Sequence, residues 1–178
     1  MSIFLILLAA GDGKRLKSKD PKPFILVNNK TIIEHSIDKF QKIKEIKKIA
    51  LVYNKKHKKK LDEIELKNVI KIIGGSTRAQ SALIGLKRIK KFNCSKVLIH
   101  DAARPNTSTK LIKKIIRKLR TNKAVIPAVQ VKDSVKRIDK KTYLFNLERK
   151  NLLLSQTPQG FNFKDILKLH DKYKNFSI

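Results

Sequence analysis

Compact apolar runs alternate along the whole chain with segments in which apolar residues recur at helical spacing. Ile3–Leu8, Lys48–Tyr53, Val69–Ile73, Lys96–His100 and Ala124–Ala128 are short and rich in β-branched residues, and they read as strands. Several are apolar without interruption, the pattern of a strand covered on both faces. Between them, Thr31-Ile32-Ile33-Glu34 has capping-box spacing and predicts a helix through Phe40. Ala79, Ala82, Leu83, Leu86 and Ile89 make one apolar helical stripe, and Leu111, Ile112, Ile115, Ile116 and Leu119 make another. This alternation predicts an α/β fold: a Rossmann-like, doubly wound, mainly parallel sheet. On such sheets ligands sit beyond the carboxyl ends of the strands.

Residues 131–150 break the rhythm. Val135-Lys136-Arg137-Ile138, a polar Asp139-Lys140-Lys141 and then Tyr143-Leu144-Phe145 read as two strands around a turn with no helix between them. They predict a projecting β-hairpin arm. Leu152–Leu154 is expected to return to the sheet, and Phe163–Tyr173 carries a helical pattern. Without an internal repeat or a linker, residues 1–178 read as one domain that includes the arm.

Composition narrows the function classes. A hydrophobic fraction of 41% in 178 residues is enough for a real core. The net charge of +29 would suit a nucleic-acid binder, yet lysine is scattered throughout, with no Trp and only three Tyr to interleave. The densest run, Lys55-Lys56-His57-Lys58-Lys59-Lys60, is soon followed by Asp62, Glu63 and Glu65. The expectation is therefore solvated lysine faces and no nucleic-acid partner. Cys94 is the single cysteine, which excludes an internal disulfide and a thiolate-built metal site. Ile3–Ala10 is too short to cross a bilayer and runs into Gly11-Asp12-Gly13, so no membrane partner and a cytoplasmic location are expected.

Three segments carry candidate chemistry. In Leu8-Ala9-Ala10-Gly11-Asp12-Gly13-Lys14-Arg15, small residues and two glycines let backbone N–H groups approach a triphosphate, and Lys14 and Arg15 add charge at the turn. No third glycine and no GK[ST] follows, so it is neither a dinucleotide fingerprint nor a P-loop. Read alone it also fits a plain turn, but Pro21-Lys22 can return a second cation to the same phosphates. Gly74-Gly75-Ser76-Thr77-Arg78-Ala79-Gln80-Ser81 permits backbone contact with a base or ribose, and fits a flexible turn with a helix cap equally well. In His100-Asp101-Ala102-Ala103-Arg104-Pro105, Asp101 ends an apolar strand at the ligand edge, where a carboxylate suits Mg²⁺ on a triphosphate. Arg104 can take an acceptor phosphate in bidentate fashion. The alternative for Asp101 is a cap on the next helix. The four histidines show no metal-ligand spacing.

Taken together, these motifs closely resemble the 2-C-methyl-D-erythritol 4-phosphate cytidylyltransferases of the non-mevalonate isoprenoid pathway. They stand in that family's order: LAAGDGKR at Leu8–Arg15, Pro21-Lys22, GGSTRAQS at Gly74–Ser81, HDAARP at His100–Pro105, VKDSVKR at Val131–Arg137 and LSQTPQGF at Leu154–Phe161. The first motif is shared by many sugar-phosphate nucleotidyltransferases, whereas HDAARP followed by the TPQ segment is narrower. The resemblance implies transfer of CMP from CTP to methylerythritol phosphate, with release of pyrophosphate. It implies Arg15 and Lys22 as the catalytic cations at the α-phosphate. Ala9, Ala10, Gly11, Gly13, Gly75, Ser76 and Ser81 would bind the nucleotide, and Asp101 would hold Mg²⁺. Arg104, Ser134 and Arg149 would bind the acceptor phosphate, and the arm would join two subunits into a homodimer.

The chain departs from the family pattern in three places. Ser134 stands where threonine is usual, and Pro23 where glutamine is common. After Leu167 neither the family's acidic segment nor its lysine-bearing final strand is recognisable, so the expectation is a C-terminally truncated nucleotidyltransferase domain. The alternatives are a ribitol-5-phosphate cytidylyltransferase, disfavoured by the double alanine Ala102-Ala103, or an incompetent, truncated anion-binding relative. A catalytically dead, basic relative predicts loss of the Arg15, Lys22 and Asp101 set, which is intact, whereas a non-catalytic truncated copy is decided by the missing final lysine.

Overall fold

The computed structural model describes residues 1–11, 20–139 and 143–173. In chain order the elements are β1 (Ile3–Ala9), β2 (Leu26–Val27), β3 (Lys30–Thr31), α1 (Ile32–Gln41), β4 (Ile46–Tyr53), α2 (Lys58–Asp62) and β5 (Val69–Ile73). They continue with α3 (Arg78–Ile89), β6 (Lys96–Asp101), α4 (Thr109–Lys118), β7 (Ala124–Val125) and β8 (Ala128–Gln130). The arm holds β9 (Val135–Asp139) and β10 (Tyr143–Leu147), and β11 (Leu153–Ser155), β12 (Gln159–Asn162) and α5 (Phe163–Lys172) follow.

Uninterrupted apolar sequence puts β1 at the middle of the sheet. Its seven residues are all buried, and it pairs in parallel with β4 on one side and β6 on the other, Ile6 lying opposite Ala50 and Ile99. Because side chains alternate along a strand, Ile3, Leu5, Leu7 and Ala9 pack on one face with Ile33, Ile37 and Phe40 of α1 and Ile112, Ile115 and Ile116 of α4. Phe4, Ile6 and Leu8 pack on the other with Ala82, Leu86 and Ile89 of α3 and Phe163 of α5. Each such fully buried aliphatic or aromatic side chain contributes about 1.5–3 kcal/mol.

The helix starts follow the capping chemistry expected of them. Thr31 and Glu34 form the capping box of α1. Thr77 caps α3 through Gln80 N–H, and Ser108 caps α4 through Leu111 N–H. Asp101 therefore caps neither helix.

The six-stranded order β5-β4-β1-β6-β12-β7 makes the sheet doubly wound. The chain runs outward from β1 through β4 to β5, then crosses back to β6 on the far side of β1. Loops after β1 and β6 thus part in opposite directions and open a crevice at their carboxyl ends.

Two expectations need correction on this side of the sheet. The run Ala124–Ala128 does not form one strand. Pro127 lacks a backbone donor, so β7 stays in the main sheet while β8 leaves it. Leu152–Leu154 does not return to the sheet, because β11 pairs with β8 in a separate antiparallel ribbon. The strand that does return is β12, antiparallel to both β6 and β7. Its sequence Gln-Gly-Phe-Asn gives little strand signal, since Gly160 is chosen for space. A Cβ there would lie 2.4 Å from Leu119 Cδ1 and 3.0 Å from Ile115 Cγ2. The predicted arm is present as the antiparallel hairpin of β9 and β10, with Val135 opposite Leu147.

Gly160→Ala is expected to lower unfolding free energy by about 1–3 kcal/mol, because Leu119 is fully buried and cannot swing away. Urea denaturation of the two proteins measures the difference.

Candidate active site

A cavity of about 370 Å³ opens at the crevice between the ends of β1 and β6. Backbone forms one wall. Ala9, Ala10 and Gly11 leave β1 there, tied to the neighbouring strand by Asn54 Nδ2 donating to the Ala10 carbonyl at 3.3 Å. A Cβ on Gly11 would meet nothing within 4 Å among the described residues. Gly74 is the opposite case: a Cβ there would lie 2.8 Å from both Ala10 Cβ and Ser81 Oγ, so its absence lets the first and second loops touch.

The second loop is shaped by its own hydroxyls and amides. Ser81 is fully buried; its Oγ accepts from Gly75 N–H at 3.1 Å and donates to the Gly75 carbonyl at 3.3 Å. Gln80 Oε1 accepts from Ser76 N–H at 3.1 Å and from Ser76 Oγ at 2.7 Å. Gly75, Ser76, Thr77 and Ser81 all face the cavity at the start of α3.

Charge is concentrated opposite these loops. Lys22 is exposed, but its turn is anchored by buried Pro23 and Phe24, the latter edge-on to the His57 ring at 5.5 Å. Asp101 is half-buried at the end of β6. Arg78 Nε lies 3.1 Å from its Oδ1 and Arg104 Nε lies 3.4 Å from its Oδ2. Among the described residues, three cations thus line the cavity with one carboxylate, an environment that attracts an anion.

The turn after β6 is held from beneath by His100, which is fully buried with its ring 4.9 Å from that of Phe40. Nε2–H donates to the Arg104 carbonyl at 3.0 Å, since a carbonyl can only accept. Nδ1 is therefore the acceptor for the Thr157 hydroxyl at 2.9 Å. Thr157 Oγ1 in turn accepts weakly from Asp101 N–H at 3.5 Å. Burial pushes the His100 pKa down to about 4, against the smaller opposing influence of the Arg104 carbonyl.

Of the residues singled out from sequence, Ala9, Ala10, Gly11, Lys22, Gly75, Ser76, Ser81, Asp101 and Arg104 converge on this cavity. Ser134 and Arg149 do not; they lie on the arm, where Arg149 Nη1 donates to the Lys132 carbonyl at 2.7 Å. Gly13 and Arg15 lie outside the described residues.

The family model for 2-C-methyl-D-erythritol 4-phosphate cytidylyltransferase matches residues 3–177. The chain belongs to this cytidylyltransferase family. It is 45% identical over 171 residues to the bifunctional enzyme IspD/IspF of Pelagibacter ubique (strain HTCC1062), covering 96% of this chain and 46% of that protein. It is 37% identical over 176 residues to the 2-C-methyl-D-erythritol 4-phosphate cytidylyltransferase of Clostridium botulinum (strain 657 / Type Ba4), covering 96% of this chain and 76% of that one. The chain thus spans a little under half of the bifunctional relatives it matches. Among solved structures, the 4-diphosphocytidyl-2C-methyl-D-erythritol synthase of Anaerococcus prevotii DSM 20548 is 36% identical with a TM-score of 0.83, covering 99% of this chain and 78% of that chain. The fold of the cytidylyltransferase family, mainly parallel and doubly wound, is the one described above.

Sequence reading left Arg78 and Thr77, which line the cavity, and Thr157, which supports Asp101 from behind it, without assigned roles. Arg78 had a signal in its place three residues before Ser81 on one helix face. Thr157 stood in the LSQTPQGF motif, but its contact with Asp101 follows only from β12 lying beside β6.

His100 makes stability depend on acid in one direction. The unfolded chain takes up a proton near pH 6.5, whereas the folded protein resists it down to about pH 4. Stability from this group is full above pH 6.5 and lost as pH falls through that window, by roughly 3 kcal/mol at most. Urea midpoints measured from pH 7.5 to pH 4 should fall more steeply for the wild type than for His100→Asn.

Proposed function

We propose that this chain transfers CMP from CTP to 2-C-methyl-D-erythritol 4-phosphate, releasing pyrophosphate. The observation that carries the reading is the Asp101 carboxylate set among Lys22, Arg78 and Arg104 at a backbone-lined cavity on the sheet's switch point. In this reading the base and ribose lie along Ala9–Gly11 and Gly75–Ser81, and the triphosphate lies toward Lys22. An acceptor phosphate oxygen attacks the α-phosphorus in line, the bond from α-phosphorus to the bridging oxygen breaks, and pyrophosphate leaves with that electron pair. No proton need be abstracted, so the protein's work is alignment and stabilisation of charge.

Lys22 serves as the donor to the crowded α-phosphate, and the motif assigns Arg15 the same role. Arg104 receives the acceptor phosphate. Among the described residues no three His, Cys, Asp or Glu side chains gather as a metal site. Asp101 alone still fits Mg²⁺, an ion that takes one or two carboxylates and completes its shell with phosphate oxygens and water. When bound, Mg²⁺ would offset phosphate charge; Asp101 would hold it and exchange its arginine contacts for the cation.

Ser134 and Arg149 are proposed to act on the acceptor from a second copy of the chain, which makes the arm a dimer contact. Ile138 and Leu144 support this, being 66% and 61% exposed on the hairpin. No described helix is long and apolar enough to cross a membrane.

Pyrophosphate release should require CTP, Mg²⁺ and methylerythritol phosphate together, and ribitol phosphate in a parallel reaction should give none. Lys22→Ala is expected to lower kcat by about 10²–10³-fold with an unchanged melting temperature, the loss typical of one charge-stabilising donor. Full activity in that variant would remove Lys22 from the mechanism. Leu144→Asp is expected to shift the sedimentation coefficient to that of a monomer; an unchanged value would move the contact elsewhere.

A further inference from the structure

Gln156 lies beyond the cavity wall, in the segment between β11 and β12, yet it grips the residue assigned to the acceptor phosphate. Its Oε1 accepts from Arg104 Nη1 at 2.6 Å. Its Nε2 donates to the Leu154 carbonyl at 3.4 Å, and its backbone N–H donates to the Pro127 carbonyl at 2.8 Å. The side chain is therefore held at both its root and its amide before it touches Arg104. The segment itself is pinned next door, where Thr157 is bonded to His100 and to Asp101 N–H.

Arg104 needs such a hold. Its guanidinium is about half exposed and stands beside Asp101, whose carboxylate already meets Arg78. An arginine left with a carboxylate as its sole neighbour tends toward a two-pronged pair with it. That collapse would turn the guanidinium onto Asp101 and reduce its reach to an incoming anion. With Nε 3.4 Å from Asp101 Oδ2 and Nη1–H donating to Gln156, the group is held along two edges, and its three remaining N–H bonds have no partner among the described residues. A neutral amide suits this task, since it accepts a hydrogen bond without cancelling the charge that attracts phosphate.

We propose that Gln156 is a positioning residue that keeps the Arg104 guanidinium from closing onto Asp101 through both prongs and so holds it in the orientation that receives the acceptor's phosphate. The proposal rests on the acceptor reading given above. Because Gln156 is rooted on Pro127 and follows β11, it also ties that orientation to the β8–β11 ribbon at the base of the arm.

The test compares wild type with Gln156→Leu, which removes the acceptor atom, and Gln156→Glu, which keeps the contact but neutralises Arg104. Both should raise KM for methylerythritol phosphate roughly tenfold, the scale of one lost hydrogen bond to a charged group. KM for CTP and kcat should stay within about twofold, because the nucleotide side is untouched. A readout independent of turnover is the ¹⁵N-detected Nε–H signal of Arg104, assigned by its disappearance in Arg104→Lys. In Gln156→Leu that signal should shift or broaden while the melting temperature holds. An unmoved signal overturns the proposal, as does an unchanged acceptor KM in an active enzyme, or parallel losses in CTP KM and kcat. If the wild type gives no turnover, the transferase reading fails by itself, and the Nε–H signal still decides whether Gln156 positions Arg104.

Discussion

Burial of β1 on both faces is the constraint from which the rest of the molecule follows. A seven-residue strand with no polar side has to be flanked by hydrogen-bonded neighbours and covered by helices above and below. β4 and β6 supply the neighbours, α1 and α4 one cover, and α3 and α5 the other. The chain can satisfy this only by leaving β1 on one side and coming back on the other. That route separates the loops at the carboxyl ends of β1 and β6 and opens the crevice between them. The site is thus a by-product of where the most apolar strand must lie.

Within the crevice the balance of charge is deliberately uneven. One half-buried carboxylate stands among three cations, and two of those are arginines in contact with it. Among the described residues a single acid cannot neutralise all three, so the cavity attracts an anion. The same contacts keep Asp101 from standing as an uncompensated, half-buried charge. Arg78 and Arg104 therefore have two environments available, the carboxylate or an anionic ligand.

The Arg104 side of the cavity is assembled from segments distant in sequence. His100 and Thr157 are 57 residues apart and meet at 2.9 Å; Arg104 and Gln156 are 52 apart and meet at 2.6 Å. Both contacts exist because β12 comes back antiparallel beside β6, and that approach is possible because Gly160 leaves room for Leu119. Packing in the outer layer and placement of charge in the cavity are coupled through one small residue.

By itself the sequence determined the elements whose signal is local. Continuous apolar runs specified β1, β4, β5 and β6, Thr31 and Glu34 specified a helix start, and the loop motifs named nine of the residues that line the cavity. Such signals are legible because periodicity and capping act over a few neighbours. Tertiary structure alone decided that Leu153–Ser155 would pair with β8, that a weak segment around Gly160 would enter the sheet, and that Gln156 and Thr157 would hold Arg104 and Asp101. Those outcomes depend on space and on partners distant in sequence. A short polar segment carries no record of its partner, because the contact that stabilises it is created only when the sheet closes around it.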